Sequence, residues 1–253
     1  MKVTFLGTGT SQGIPVIGCE CDVCTSLDFR DKRLRTSIHL EVDDTSIVVD
    51  TGPDFRAQML RERITHLDAV LFTHEHKDHT AGLDDVRSFN FKQQYDMPVF
   101  GRKQVLEQLK QEFSYIFAAK KYPGVPRVNL NEIKNKPFEF NGVNIQPIDV
   151  LHYKLPVFGF RIKDFTYITD VNYISDDEKE KIKGSKALVL SALQKEDHIS
   201  HFNLSEAIDL VNELKVPQAY FIHMSHRLGK HADIEKELPE HIDLAHDGLK
   251  IEL

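Results

Sequence analysis

Residues 67–79 read Leu-Asp-Ala-Val-Leu-Phe-Thr-His-Glu-His-Lys-Asp-His, a short apolar run that leads straight into three histidines and an aspartate. Leu67 to Phe72 has the pattern of a buried strand. Its end delivers His74, His76, Asp78 and His79 onto one loop. Imidazole and carboxylate are good ligands for first-row divalent metals. On an extended segment, residues two apart point the same way. His74 and His76 can therefore share one ion, while Asp78 and His79 turn toward a second.

Two ions need further ligands, expected at other strand ends. His152 follows the strand-like run Ile145 to Leu151, Asp170 follows Tyr167-Ile168-Thr169, and His223 follows Ala219 to Ile222. A single histidine in such a place is ordinarily a capping or surface residue. Three of these candidates beside a His-x-His-x-Asp-His loop make a binuclear metal centre the better reading.

The rest of the chain alternates strands and helices. Residues 2–7, Ser37 to Leu40, Ser46 to Val49, 137–163, Thr166 to Thr169, Leu188 to Leu190 and Gly248 to Leu253 read as strands; Asp43-Asp44 and Gly7 to Gly13 read as turn and loop. Phe55 to Arg63, Thr80 to Phe91, Lys103 to Ala119 and Leu204 to Leu214 read as helices. No repeat, low-complexity tract or linker divides the chain, so one layered α/β domain over residues 1–253 is expected.

The composition is that of a folded protein, 41% hydrophobic and 28% charged in 253 residues. No apolar run reaches the ~18 residues of a membrane span, and the N-terminus is too short in apolar residues for a signal peptide; a cytoplasmic protein without a membrane partner is expected. The net charge of −7 argues against a basic surface for nucleic acid, though not against a small anion.

The three cysteines, Cys19, Cys21 and Cys24, lie within six residues. Such a cluster without an export signal points to metal rather than disulfides. Three thiolates sharing one Zn²⁺ want a fourth ligand; His226 is the first choice, with His39 and His231 behind it. Four protein ligands leave no open position, so this zinc is expected to be structural, pinning the N-terminal loop to the loop bearing His223.

His74-Glu75-His76-Lys77-Asp78-His79 resembles the HxHxDH signature of the metallo-β-lactamase superfamily, and Asp50-Thr51-Gly52 and the downstream order His, Asp, His are similar to that family over essentially the whole chain. The resemblance implies a four-layer αβ/βα sandwich with His74, His76 and His152 on one metal, Asp78, His79 and His223 on the other, and Asp170 bridging. It also implies that Asp50 orients a ligand; a plain strand-end turn carboxylate is the competing reading. The cysteine cluster, Phe221 to His226 and Ala245-His246-Asp247-Gly248-Leu249 resemble the PhnP-type branch, cyclic phosphodiesterases in which the histidine after the last catalytic ligand completes the zinc site. The likeness is looser between residues 90 and 140.

A phosphodiesterase acting on a small, cyclic or linear, phosphodiester follows as the expected function. Two divalent ions (Zn or Mn, with Fe open), less Asp78, Asp170 and a hydroxide, leave about +1 for an anionic substrate. The hydroxide generated by the ions is the expected nucleophile. Asp78 and His201 are the expected catalytic side chains. His201 resembles the general acid of PhnP-like enzymes and has a suitable unperturbed pKa; capping of the helix from Leu204 is its other reading. Lys154 reads more as a surface lysine than as a phosphate contact, His198 as solvated, and Asp84 and Asp85 as acids favoured early in a helix. The rival functions are tRNase Z-type RNA processing, glyoxalase II-type thioester hydrolysis and β-lactam cleavage on the same fold; from another class, a non-catalytic metal-binding protein. A homodimer is left open.

Overall fold

Successive side chains of each strand point to opposite faces of its sheet, and in the core strands both faces are buried, so each sheet is covered on two sides. The computed structural model describes residues 1–253. A first, mixed sheet contains β1 (Lys2–Gly7), β2 (Ser37–Val42), β3 (Thr45–Val49), β4 (Ala69–Leu71), β5 (Met97–Gly101) and β6 (Val128–Glu132). A second holds β7 (Phe138–Phe140), β8 (Val143–His152), β9 (Leu155–Ile162), β10 (Phe165–Ile168), β11 (Tyr173–Ile174), β12 (Ala187–Ser191), β13 (Gln218–Ile222) and β14 (Ile242–Leu244). The chain returns to the first sheet as β15 (Lys250–Glu252), antiparallel to β1. The spatial orders are β15-β1-β2-β3-β4-β5-β6 and β11-β8-β9-β10-β12-β13-β14, with β7 on β8. Each sheet is antiparallel on one side and parallel on the other, the parallel runs being β3 to β6 and β10, β12, β13, β14.

Ile47, Val49, Ala69 and Leu71 point inward to meet Phe165, Tyr167, Ala187 and Val189 of the other sheet. Their neighbours Val48 and Val70 point outward, onto Phe55, Met59, Phe89, Val105 and Leu109 from helices Phe55–Glu62, Arg87–Gln93 and Lys103–Glu112. Leu188, Leu190, Ala219 and Phe221 point outward from the second sheet, onto Leu204, Ala207, Leu210, Val211 and Leu214 of helix Leu204–Leu214. Period two in the strands and period three to four in the helices thus produce helix, sheet, sheet, helix. Each such side chain fully buried contributes about 1.5–3 kcal/mol. No helix is long and apolar enough to cross a membrane.

Two helices differ from the sequence expectation. Thr80 to Phe91 is a turn of helix (Lys77–Thr80), a 3-10 segment (Leu83–Val86) and helix Arg87–Gln93. The break falls at Gly82, whose N–H donates to the Thr51 carbonyl at 2.8 Å. A Cβ at Gly82 would come within 2.2 Å of the Gly52 carbonyl oxygen, and one at Gly52 within 2.2 Å of the Asp78 carbonyl oxygen. These two glycines press the Asp-Thr-Gly turn against the histidine loop. Lys103 to Ala119 stops at Phe113, which leaves helical geometry (φ −106°, ψ 39°) with its ring in the core before a last turn, Ser114–Phe117. The sequence expectation also lacks β5 and β6: Pro98 argues against a strand, and Val128–Glu132 is polar and part-exposed.

His39, a weaker candidate for the cysteine cluster, lies in β2 and is buried, with Nε2 2.7 Å from the Ser46 hydroxyl. Ser46 donates to the His66 carbonyl, so neutral His39 donates to Ser46. Burial pushes the His39 pKa down to about 4. The folded state therefore favours neutral His39, and its stabilisation is complete above ~6.5 and lost as pH falls toward about 4, up to ~3 kcal/mol in all. Urea unfolding of chelator-treated protein between pH ~7 and ~4 should show His39→Gln losing less stability than the parent; parallel pH profiles would show that His39 is not the acid-labile group.

Candidate metal centre

The carboxyl ends of β3, β4, β10 and β13 and the end of β8 open on one side of the sandwich, the usual place for a site in sheets with parallel strands. After β4 the chain bends at Thr73 and runs without regular structure to His76, itself extended (φ −61°, ψ 147°), before winding into the turn Lys77–Thr80. The His74 ring lies between those of His76 and His79, with centroids 4.5 Å and 4.2 Å away, and Asp78 Oδ2 sits beside His79. His74 and His79 are fully buried, and His76 is exposed at the open side.

Three strand ends share a backbone device. Asp50, one residue after β3, Asp170, two after β10, and His223, one after β13, all have positive φ (65°, 52° and 57°). Left-handed backbone is uncommon and mildly strained outside glycine, with aspartate and histidine among the residues that enter it most readily. Such strain concentrates where a side chain must leave the pleat for a functional position.

Hydrogen bonds then fix the ring tautomers. The Thr73 hydroxyl donates to Asp50 Oδ2 (2.8 Å), so its oxygen can only accept from His74 Nδ1 (2.9 Å). His79 Nδ1 donates to Asp50 Oδ2 at 2.7 Å, and His152 Nδ1 donates to the Ser200 carbonyl at 2.7 Å. In His74, His79 and His152 the free lone pair is thus left on Nε2, the arrangement metal-binding histidines use. Asp50 meets His79 rather than merely closing a turn; its other oxygen accepts the Thr73 N–H at 2.9 Å.

Asp170, 2% exposed, sits at the middle. Its Oδ1 lies 3.0 Å from His223 Nδ1 and 3.4 Å from His79 Nε2, and its Oδ2 lies 3.7 Å from His74 Nε2. Asp78 Oδ2 is 3.2 Å from His79 Nε2. Asp170 is common to three groups whose donor atoms all lie within 4.8 Å of one another: with Asp78, His79 and His223; with His74 and His76; and with His152 and His201. His152 thus groups with His201 rather than with His74 and His76, although its ring is 5.2 Å from that of His76. His74 Nε2, His79 Nε2, His223 Nδ1 and His201 Nδ1 are buried without a hydrogen-bond partner. Buried polar atoms are seldom left so, and convergent imidazole and carboxylate donors fit divalent cations.

Charge follows the same geometry. Burial disfavours ionising Asp170 and Asp78, yet the histidines beside them hold both carboxyls well below the usual range. Burial opposes a proton on His79, but Asp78, Asp170 and Asp50 raise its pKa well above the ordinary value. His201 differs from expectation: burial pushes it down to about 3, so its ring is neutral before an anion arrives. Its capping reading does not hold, because Asn203 and Glu206 form the capping box of helix Leu204–Leu214.

The second cluster joins Cys19, Cys21, Cys24 and His226. The three Sγ atoms lie 3.2, 3.5 and 3.6 Å from His226 Nδ1. With Zn–S ~2.3 Å and Zn–N ~2.0 Å, the S···N edge of a zinc tetrahedron is ~3.6 Å. A backbone hydrogen bond from Cys24 brings the Cys21 thiol down to about 6, and burial pushes Cys24 up to about 11. His231 lies elsewhere, with Nδ1 3.0 Å from Arg33. Lys154 is exposed beside the Tyr153 ring, and His198 is exposed. Thr73 and the Ser200 carbonyl are supports that motif reading overlooks. The adjacency of Thr73 to the motif was a usable signal; nothing in the sequence marks a carbonyl.

Ligation needs neutral imidazole, so a divalent ion entering this site must displace the proton that three carboxylates hold on His79. Calorimetric titration of chelator-stripped protein with Mn²⁺ or Zn²⁺ should show proton release. Affinity should fall about tenfold for each pH unit of acidification per proton displaced, for as long as the metal-free His79 holds its proton. A pH-independent affinity would mean that His79 does not take part.

Residues 45–224 match the profile of the Beta-lactamase superfamily domain. A crystal structure of a new diphosphatase from the PhnP family is 38% identical with a TM-score of 0.93, covering 100% of this chain and 97% of that one. A Porphyromonas gingivalis protein named octanoyltransferase is 37% identical over 253 residues, 99% of this chain but 51% of that protein, so this chain spans about half its length. Zn²⁺-bound PqqB from Methylobacterium extorquens, at 19% identity, shares the fold with a TM-score of 0.81 over 100% of both chains. The chain belongs to the metallo-β-lactamase superfamily and, within it, to the PhnP family, a fold that implies divalent metal ions.

Proposed function

We propose that this protein is a metal-dependent hydrolase that cleaves a phosphorus–oxygen bond in a small phosphodiester. The observation that carries the reading is the ring of buried, partnerless nitrogens around Asp170: His74 Nε2, His79 Nε2 and His223 Nδ1. In this reading His74, His76 and His152 hold one ion, Asp78, His79 and His223 hold the other, and Asp170 lies between them. Divalent ions there supply positive charge against phosphoryl oxygens and water acidic enough to ionise near neutral pH. The diphosphatase relative supports phosphorus as the centre attacked. The octanoyltransferase name belongs to a protein of twice the length, and here all three cysteines lie in the other cluster, away from any acyl-carrying role. Cys19, Cys21, Cys24 and His226 hold a closed structural zinc in the same reading.

The chain's own groups have separable tasks. Asp50 and Thr73 orient His79 and His74, the Ser200 carbonyl orients His152, and exposed His76 marks the side from which substrate enters. The His201 ring stacks 4.9 Å from that of His223 and lies tilted, 4.4 Å from that of His152. It is neutral at rest, but Asp170 already draws its pKa upward, and a docked phosphodiester anion acts in the same direction. His201 first takes up a proton from solvent water as the anion docks, and the resulting imidazolium gives that proton to the leaving oxygen and returns to the neutral ring.

Protein loaded with Mn²⁺ or Zn²⁺ should hydrolyse bis(p-nitrophenyl) phosphate, and Asp78→Ala should reduce this to background. His201→Ala should slow an alkyl phosphodiester by about 10²–10⁴-fold and the p-nitrophenyl ester far less, because p-nitrophenolate leaves without a proton. Cyclic and linear phosphodiesters, a thioester and RNA form the panel. Turnover of the thioester with none of any phosphate ester would overturn the reading, and turnover confined to RNA would replace the small substrate by a nucleic acid.

A further inference from the structure

The loop Gly7 to Gly13, which no step above uses, reaches the metal centre through one side chain. Thr10 Oγ1 lies 3.2 Å from His223 Nε2, and both residues are buried. The loop is clasped on two sides. Met224 N–H donates to the Thr8 carbonyl at 3.0 Å, and Thr10 N–H returns to the Met224 carbonyl at 3.1 Å. On the other flank Gly9 N–H donates to the Leu34 carbonyl, and Thr36 donates to the Gly9 carbonyl through both N–H and hydroxyl. The Thr8 hydroxyl donates to Asp247 and accepts from buried Arg33. Thr10 therefore has little freedom, and its oxygen is fixed relative to the ring of His223.

We propose that Thr10 is a positioning residue for His223: it accepts the Nε2 proton and so keeps the lone pair on Nδ1, the atom that faces Asp170. This rests on the reading of His223 as a metal ligand. It gives His223 what Thr73, Asp50 and Ser200 give His74, His79 and His152, a partner on the nitrogen remote from the cation.

The test is metal affinity, read by chelator competition and by the visible spectrum of the Co²⁺-loaded protein, with no substrate present. Thr10→Val keeps the shape and removes the acceptor; Thr10→Ser keeps the acceptor. Thr36→Val removes one hydroxyl hydrogen bond beside the loop while the backbone bonds that hold Thr10 in place remain, and it does not touch His223. Thr10→Val should weaken the site about 10–100-fold and alter the Co²⁺ spectrum. Thr10→Ser should stay within about twofold of the parent, and Thr36→Val should lower the melting temperature while leaving affinity unchanged. Unaltered affinity in Thr10→Val, failure of Thr10→Ser to rescue, or an equal loss in Thr36→Val would overturn the proposal. A parent protein that binds metal here yet hydrolyses no phosphodiester would sink the proposed substrate and leave this role of Thr10 supported by the same affinities.

Discussion

A carboxylate buried among imidazoles is the constraint on which this structure turns. Asp170 is almost wholly removed from water, at the end of a core strand, with three histidine nitrogens within 3.7 Å of its oxygens. Taking such a charge out of water without compensation costs several kcal/mol. Metal-free, the site can compensate only by retaining a proton among the histidines, chiefly on His79. Divalent cations would compensate it more completely and use the nitrogens that His74, His79 and His223 leave unpartnered. The same feature that makes the centre costly to build makes it a strong cation site.

The scaffold around that charge is built to prevent relaxation. Gly52 and Gly82 allow the Asp-Thr-Gly turn to contact the backbone of the histidine loop directly, and any side chain there would force the two apart. Asp50 bridges Thr73 and His79 across the same junction. On the far side, His223 and His226 belong to one short loop, so the cysteine cluster and the main centre are mechanically joined through Met224 and the Thr8–Thr10 loop. A closed zinc at the cysteines would stiffen the loop that presents His223, which explains why an irregular N-terminal segment is packed here.

Much of this was legible in the residues. The six-residue loop from His74 to His79 and the strand ends at His152, Asp170 and His223 can be read from apolar runs that stop at a polar residue, because strand ends are where a sheet can present side chains. The layering followed from strands such as the buried-type run Leu188 to Leu190 interleaving with helices such as Leu204 to Leu214. The break at Gly82 was not legible, since it arises from contact with Gly52, thirty residues earlier in sequence and adjacent only in space. β5 was hidden by Pro98. The supports Ser200 and Thr10 act through a carbonyl and through a loop closed by long-range hydrogen bonds, and local pattern carries neither. The expected acidity of His201 rested on its free value, whereas burial in the folded chain decides it.

Anomalous diffraction at the zinc and manganese edges, from crystals of the metal-loaded protein, addresses the central claim most directly. The account predicts two peaks flanking the Asp170 carboxylate within bonding distance of His74, His76, Asp78, His79, His152 and His223, and a third among Cys19, Cys21, Cys24 and His226. Crystals with ample metal but no peak beside Asp170, its carboxylate compensated instead by a protonated His79, would contradict it.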